Sequence, residues 1–140
     1  MSKVYVSWNA IEKFVQNVVN QYKDKDITGV YGLPRGGLVL AVMVSHRLGV
    51  PMLMSPCEGC IIIDDICDSG ESLLHYYKNS SAEDGKPAYH IVTMWYKENA
   101  LGVVPEMWDF AKGSDWVVFP WEQSFDNYKK ESFYNYRKED

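Results

Sequence analysis

Cys60-Ile61-Ile62-Ile63-Asp64-Asp65-Ile66-Cys67-Asp68-Ser69-Gly70-Glu71-Ser72-Leu73 is the stretch on which the reading of this chain turns. Four apolar residues stand in a row at 60–63, without the alternation of a half-exposed strand. Such a run suits a parallel strand covered on both faces. It ends in two carboxylates, Asp64 and Asp65, and a third, Asp68, precedes a Ser-Gly-Glu-Ser turn that opens a helix near 72–77. Open α/β sheets bind ligands beyond the carboxyl ends of their strands. Backbone N–H groups of Asp68, Ser69, Gly70, Glu71 and Ser72, at a helix N-terminus, are suited to wrap a phosphate, with the two serine hydroxyls as added donors. Gly70 would let that backbone approach without a Cβ in the way. Asp64 and Asp65 suit the vicinal hydroxyls of a sugar and the neighbourhood of a hydrated Mg²⁺. The plainer alternative, acids that cap a helix and solvate a loop, needs fewer groups than are gathered here.

Outward from this stretch, hydrophobic periodicity gives the organisation. Strands are expected at 4–6, 27–31, 52–54, 60–64, 90–95 and 116–119. Helices are expected at 11–22, 38–48 and 72–77, the first capped by Ser7 or Asn9. Residues 65–70 read as a loop, and 32–37 as a glycine-rich turn carrying Arg35, Gly36 and Gly37. Alternating strands and helices imply an α/β fold, a mainly parallel twisted sheet with helices on both faces. A chain of 140 residues accommodates one domain. The body is expected to span 1–123, with 124–140 as a C-terminal arm of the same domain, either a terminal helix or a loose arm.

Composition removes several classes of function. A net charge of −5 opposes a role in gripping nucleic-acid backbone. The apolar stretches near 39–44 and 60–63 are too short to cross a bilayer, and the N-terminus lacks a signal-peptide layout. Three cysteines, an odd number, do not make a disulfide framework. The lone Cys57-Glu-Gly-Cys60 pair reads as a turn between strands, because a structural zinc site wants further ligands. His46, His75 and His90 show no ligand spacing. A cytoplasmic protein is expected, with no nucleic-acid or membrane partner.

Asp64-Asp65-Ile-Cys-Asp-Ser-Gly-Glu-Ser resembles the phosphoribosyl-diphosphate signature of the type I phosphoribosyltransferases, and within them the xanthine-guanine and hypoxanthine enzymes. Four further pieces follow in the family's order. Val4-Tyr-Val-Ser-Trp resembles its opening, and Tyr31-Gly-Leu-Pro-Arg-Gly-Gly-Leu its pyrophosphate loop. Thr93-Met-Trp-Tyr-Lys resembles the strand that ends in a base-contacting lysine. Ser114-Asp-Trp-Val-Val-Phe-Pro-Trp-Glu resembles the base-stacking segment. The resemblance runs from about Val4 to Glu122.

The resemblance implies displacement of pyrophosphate from a phosphoribosyl group by a purine base, with Mg²⁺ as cofactor and a homo-oligomeric assembly. Arg35, Gly36 and Gly37 would hold the pyrophosphate, the first through its planar fork of donors, and Pro34–Arg35 is a candidate cis peptide. Asp64, Asp65, Asp68, Ser69, Gly70, Glu71 and Ser72 would hold the sugar and its 5'-phosphate. Asp68 would move the base's proton, and Asp64, Asp65 and Glu122 would attend the metal. Lys97 would donate to a purine O6, Trp116 would stack on the base and Val117 would read its edge through the backbone. A solvated lysine, a core aromatic and a surface acid are the ordinary alternatives for Lys97, Trp116 and Glu122.

Two departures stand out. Where the family carries a long flexible lid, this chain has only Ser55-Pro-Cys-Glu-Gly. Val118 and Phe119 are apolar where some purine enzymes carry polar residues. A lid excludes water from the reacting sugar. A substitute is sought in the arm, where Phe125, Tyr128, Phe133, Tyr134 and Tyr136 offer apolar cover and Lys129, Lys130 and Arg137 positive charge. The other function class is a non-catalytic module on the same fold that senses a nucleotide or phosphoribosyl diphosphate.

Overall fold

The apolar run at 60–63 lies inside a four-stranded, wholly parallel sheet ordered β2 (Val30–Gly32), β3 (Cys60–Cys67), β4 (Tyr89–Tyr96) and β5 (Phe110–Ala111). The computed structural model describes residues 2–79, 88–122 and 136–139. Two compact units make up the chain, one of residues 1–16 and 113–140 and the other of 17–112, which carries this sheet.

Ile61, Ile62 and Ile63 are wholly buried, as an uninterrupted apolar run requires. Cys60 and Ile62 join Leu33, Ile91, Ala100 and Val103 in one cluster with Leu73 of α3 (Glu71–Lys78). On the other face His90, the register partner of Ile61, packs against Tyr22 with ring centroids 5.3 Å apart. Helices therefore cover both faces. Helix α2 (Gly36–Leu48) follows β2 and lies so close to it that a Cβ on Gly32 would overlap the Gly37 backbone.

In the other unit β1 (Lys3–Val6) pairs parallel with β6 (Trp116–Val118) and antiparallel with β7 (Tyr136–Glu139). Helix α1 (Trp8–Tyr22) begins here. The Ser7 hydroxyl accepts the Ala10 N–H at 3.1 Å, so Ser7 rather than Asn9 is the cap. Ile11, Phe14, Val15, Val18 and Tyr22 form the buried stripe that their spacing predicts.

Several expectations need correction. The strands form two sheets rather than one. β3 runs on through Cys67, so Asp65 and Ile66 belong to a strand and not to a loop. α2 starts at Gly36 instead of Leu38, and the expected strand at 52–54 is a single bridge from Met52 to Val30. The short β5 was not anticipated. The C-terminal segment is neither helix nor loose arm at 136–139, where it supplies β7; the remaining arm residues named above, 125 to 134, lie outside the described residues. Among the described residues no helix is long and apolar enough to cross a membrane.

Candidate active site

The strand–turn junctions at the carboxyl ends of β2, β3 and β4 converge within residues 17–112. β3 breaks its regular ladder at the acid pair. The Asp64 carboxylate accepts the Asp65 N–H at 2.8 Å, and the Asp65 carboxylate accepts the Ile66 N–H at 2.8 Å. Side-chain alternation shifts there, because Ile62 and Cys67, five positions apart, join the same hydrophobic cluster. The two carboxyl groups are therefore held at the strand end by the backbone itself.

Both are half-buried, and their pKa values lie above the ordinary carboxylate range. Burial is the main cause for each, and for Asp64 the adjoining Asp65 charge adds to it. Adjacent carboxylates with little water around them favour whatever supplies positive charge or hydroxyl donors. The hydroxyl of Thr93, the register partner of Asp64, is buried and has no hydrogen-bond partner among the described residues.

The glycine-rich turn after β2 meets this acid pair directly. Leu33 N–H bonds to the Ile63 carbonyl at 3.0 Å, which pins the turn to β3. The Pro34–Arg35 peptide is cis, as the resemblance implies. A Cβ on Gly36 would overlap the Asp65 carboxylate, and one on Gly37 would overlap the Ile63 carbonyl oxygen. Arg35 is exposed at the start of α2. An Arg-Gly-Gly turn and two carboxylates, separated by 27 to 30 residues in sequence, thus share one strand end.

Residues 68–72 lead from β3 into α3. The Ser69 hydroxyl accepts the Glu71 N–H at 3.3 Å. Among the described residues, no protein acceptor takes the N–H groups of Ser69, Gly70 and Ser72, which leaves a set of donors at a helix start. Gly70 has φ +85°, a conformation that glycine adopts without strain. A Cβ there would strike the carbonyl oxygen of Ala100, so Gly70 serves close packing against the segment after β4.

The Asp68 carboxylate lies between two ammonium groups, 3.7 Å from Lys97 and 3.6 Å from Lys112. Lys97 directly follows β4, and its N–H bonds to the Cys67 carbonyl at 2.8 Å. Lys112 was missed by sequence reasoning. It follows a two-residue strand, which leaves no periodicity to mark it. Cys67 adjoins these charges as a buried thiol whose pKa is pushed up to about 11, first by burial and then by Asp64 and Asp68.

Trp116, Val117 and Glu122 belong to the other unit. Trp116 is 60% exposed, so it is not a core aromatic. Val117 is buried in β6. Glu122 accepts the Phe119 N–H at 2.9 Å, an ordinary cap on the 3-10 turn at Pro120–Glu122.

The lid question has a geometric answer. Residues 55–59 are tied to Thr28, which precedes β2, and to Ala88, which precedes β4, through the Thr28 N–H to Gly59 carbonyl and Gly59 N–H to Ala88 carbonyl bonds. This turn therefore lies at the amino ends of the strands, opposite the acid pair.

No family model matches the chain. A xanthine-guanine phosphoribosyltransferase of Chromohalobacter salexigens is 22% identical over 84% of this chain and 82% of its own length. The crystal structure of a purine phosphoribosyltransferase from Pyrococcus horikoshii superposes with a TM-score of 0.71 at 23% identity, covering 87% of this chain and 95% of that one. A xanthine-guanine-hypoxanthine phosphoribosyltransferase of Helicobacter pylori gives 0.67 at 18% identity, over 91% and 99% of the two chains. Adenine phosphoribosyltransferases share the fold as well.

Proposed function

We propose that this chain, a type I phosphoribosyltransferase akin to the xanthine-guanine and hypoxanthine enzymes, transfers the phosphoribosyl group of phosphoribosyl diphosphate to a 6-oxopurine. One observation carries the reading: the Gly36 backbone lies against the Asp65 carboxylate. A diphosphate held by the turn at 35–37 would then leave from a sugar held by Asp64 and Asp65.

In this reading the donors at 69–72 hold the 5'-phosphate, and Asp64 and Asp65 orient the ribose through its hydroxyls. Arg35 and the Gly36 N–H stabilise charge on the departing diphosphate, an electrostatic contribution, while the Gly37 N–H is bonded to the Leu33 carbonyl at 2.9 Å. The bond from C1 to the diphosphate oxygen breaks, the bond from C1 to the purine nitrogen forms, and Asp68 takes the proton from the base. Lys97 donates to O6, which favours 6-oxopurines over adenine, whose 6-amino group is itself a donor. Trp116 offers an exposed flat face to a base, and the Val117 backbone reads the base edge.

The donor set fits Mg²⁺, which takes one or two carboxylates and completes its shell with water and substrate phosphates. Asp64 and Asp65 would hold it, and when bound it neutralises diphosphate charge. Glu122, engaged as a cap, supports that assignment less. We read the substrates as phosphoribosyl diphosphate with a purine base or nucleotide, and the assembly as a homo-oligomer in the cytoplasm.

The test is to incubate the protein with Mg²⁺, phosphoribosyl diphosphate and each purine base in turn, and to separate nucleotides by chromatography. Monophosphates from guanine, hypoxanthine or xanthine are expected, with little from adenine. Adenine used as well as guanine would refute the assignment of Lys97. A second reading, a nucleotide-sensing module, is favoured by the turn at 55–59 standing opposite the acid pair. Tight nucleotide binding without product from any base would establish it instead.

A further inference from the structure

We propose that Lys112 is a positioning residue, which holds the Asp68 carboxylate in place once Lys97 has left it for the base. The inference rests on the roles just given to Asp68 and Lys97. β4 and β5 run parallel, with Trp95 opposite Phe110 and Tyr96 opposite Ala111. The next positions on the two chains are Lys97 and Lys112, and the Lys112 N–H still bonds to the Tyr96 carbonyl at 2.8 Å. Like charges on neighbouring strands repel. Asp68 relieves that repulsion by dividing its carboxylate, Oδ1 toward Lys97 and Oδ2 toward Lys112.

The two lysines are not equivalent. The Lys97 side chain is 52% exposed and that of Lys112 only 9%. An exposed pair is screened by water and contributes little, so Lys97 can exchange Asp68 for a purine oxygen at small cost. The packed Lys112 side chain, on a backbone pinned to Tyr96, has little room to turn away, so it stays on Asp68. Base binding would then free Oδ1 and leave Oδ2 anchored. The oxygen given up by Lys97 is the one turned to receive the proton, in an orientation that Lys112 sets.

The experiment is steady-state kinetics with guanine and phosphoribosyl diphosphate on Lys112→Met, Lys112→Gln, Lys112→Arg, Asp68→Asn and the double variant Lys112→Met/Asp68→Asn. Lys112→Met should lower kcat by about tenfold or more, part of the 10²–10⁴ that a general base contributes. KM for phosphoribosyl diphosphate should stay within about twofold, since the lost interaction belongs to the transition state. Lys112→Arg should restore most of the rate. In the Asp68→Asn background the Lys112 change should add nothing, because both act through one carboxylate. Lys112→Gln supplies the same reading if the methionine variant does not fold. Unchanged kcat in a folded neutral variant, or an equal further loss on top of Asp68→Asn, overturns the proposal while wild-type transfer stands. Absence of transfer by the wild-type protein overturns the function proposed above, and this inference with it.

Discussion

Replacing Gly36 by alanine tests the contact on which the functional reading rests. The added methyl would overlap the Asp65 carboxylate, whose other oxygen accepts the Ile66 N–H at 2.8 Å. A side chain can rotate away where backbone cannot, so the expected response is displacement of Asp65. That rotation breaks the bond to Ile66 and leaves a half-buried donor unpaired, which costs about 1–3 kcal/mol. Against it, alanine at the start of α2 recovers at most about 1 kcal/mol of helix propensity. The net loss is therefore on the order of 1–2 kcal/mol. For a chain of this size that corresponds to a Tm lower by roughly 3–10 °C. Asp65 would also leave its place beside the ribose, and the affinity for phosphoribosyl diphosphate should fall by about tenfold, equivalent to one lost hydrogen bond to a charged group. Thermal melts and titration calorimetry read the two effects. Gly113→Ala is the control, because no described residue lies within 4 Å of a Cβ there. Wild-type Tm and wild-type affinity in Gly36→Ala would show that the turn and the acid pair are not in contact, and the argument built on that contact would fail.

Other consequences can be checked independently. Burial opposes charge on Glu106, but hydrogen bonds from His90 and Tyr22 outweigh it and lower its pKa. A depressed carboxylate contributes stability above its unfolded pKa of about 4.3, and that contribution is lost as pH falls through the folded value. Glu106→Gln should therefore flatten the acid limb of a Tm-against-pH curve below about pH 5; an unchanged slope would remove Glu106 from the account. Lys97→Ala should erode the preference for guanine over adenine by roughly 5- to 150-fold, the equivalent of about 1–3 kcal/mol, with little change in Tm because its ion pair is exposed. A preference left intact, measured as a ratio of kcat/KM values, would transfer base selection to another group. A chain ending at Trp121 loses β7 and with it the antiparallel partner of β1, so a lower Tm is expected; an unaltered melt would show that this pairing contributes nothing to stability.

The signals that sequence carries about this protein are local ones, and they suffice where a short stretch decides its own conformation. An isoleucine run closed by two acids makes a buried strand with a polar end, since its residues have no exposed face to prefer. The stripe from Ile11 to Tyr22, with Ser7 before it, makes a capped helix for the same kind of reason. The motifs at 31–38 and 60–72 carried the family resemblance. What the sequence could not decide are the relations between distant segments. That Gly36 rests on Asp65 while Gly70 packs against Ala100 depends on which elements become neighbours, and a glycine looks the same in either case. Lys112 carries no local mark, and only the parallel register of β4 and β5 brings it beside Lys97 and Asp68. The turn at 55–59 lies opposite the acid pair because parallel strands return to the same end before each begins, and β7 exists because its backbone donors and acceptors find β1 more than a hundred residues earlier. Local propensity sets the elements, but pairing and burial between remote segments assemble the site.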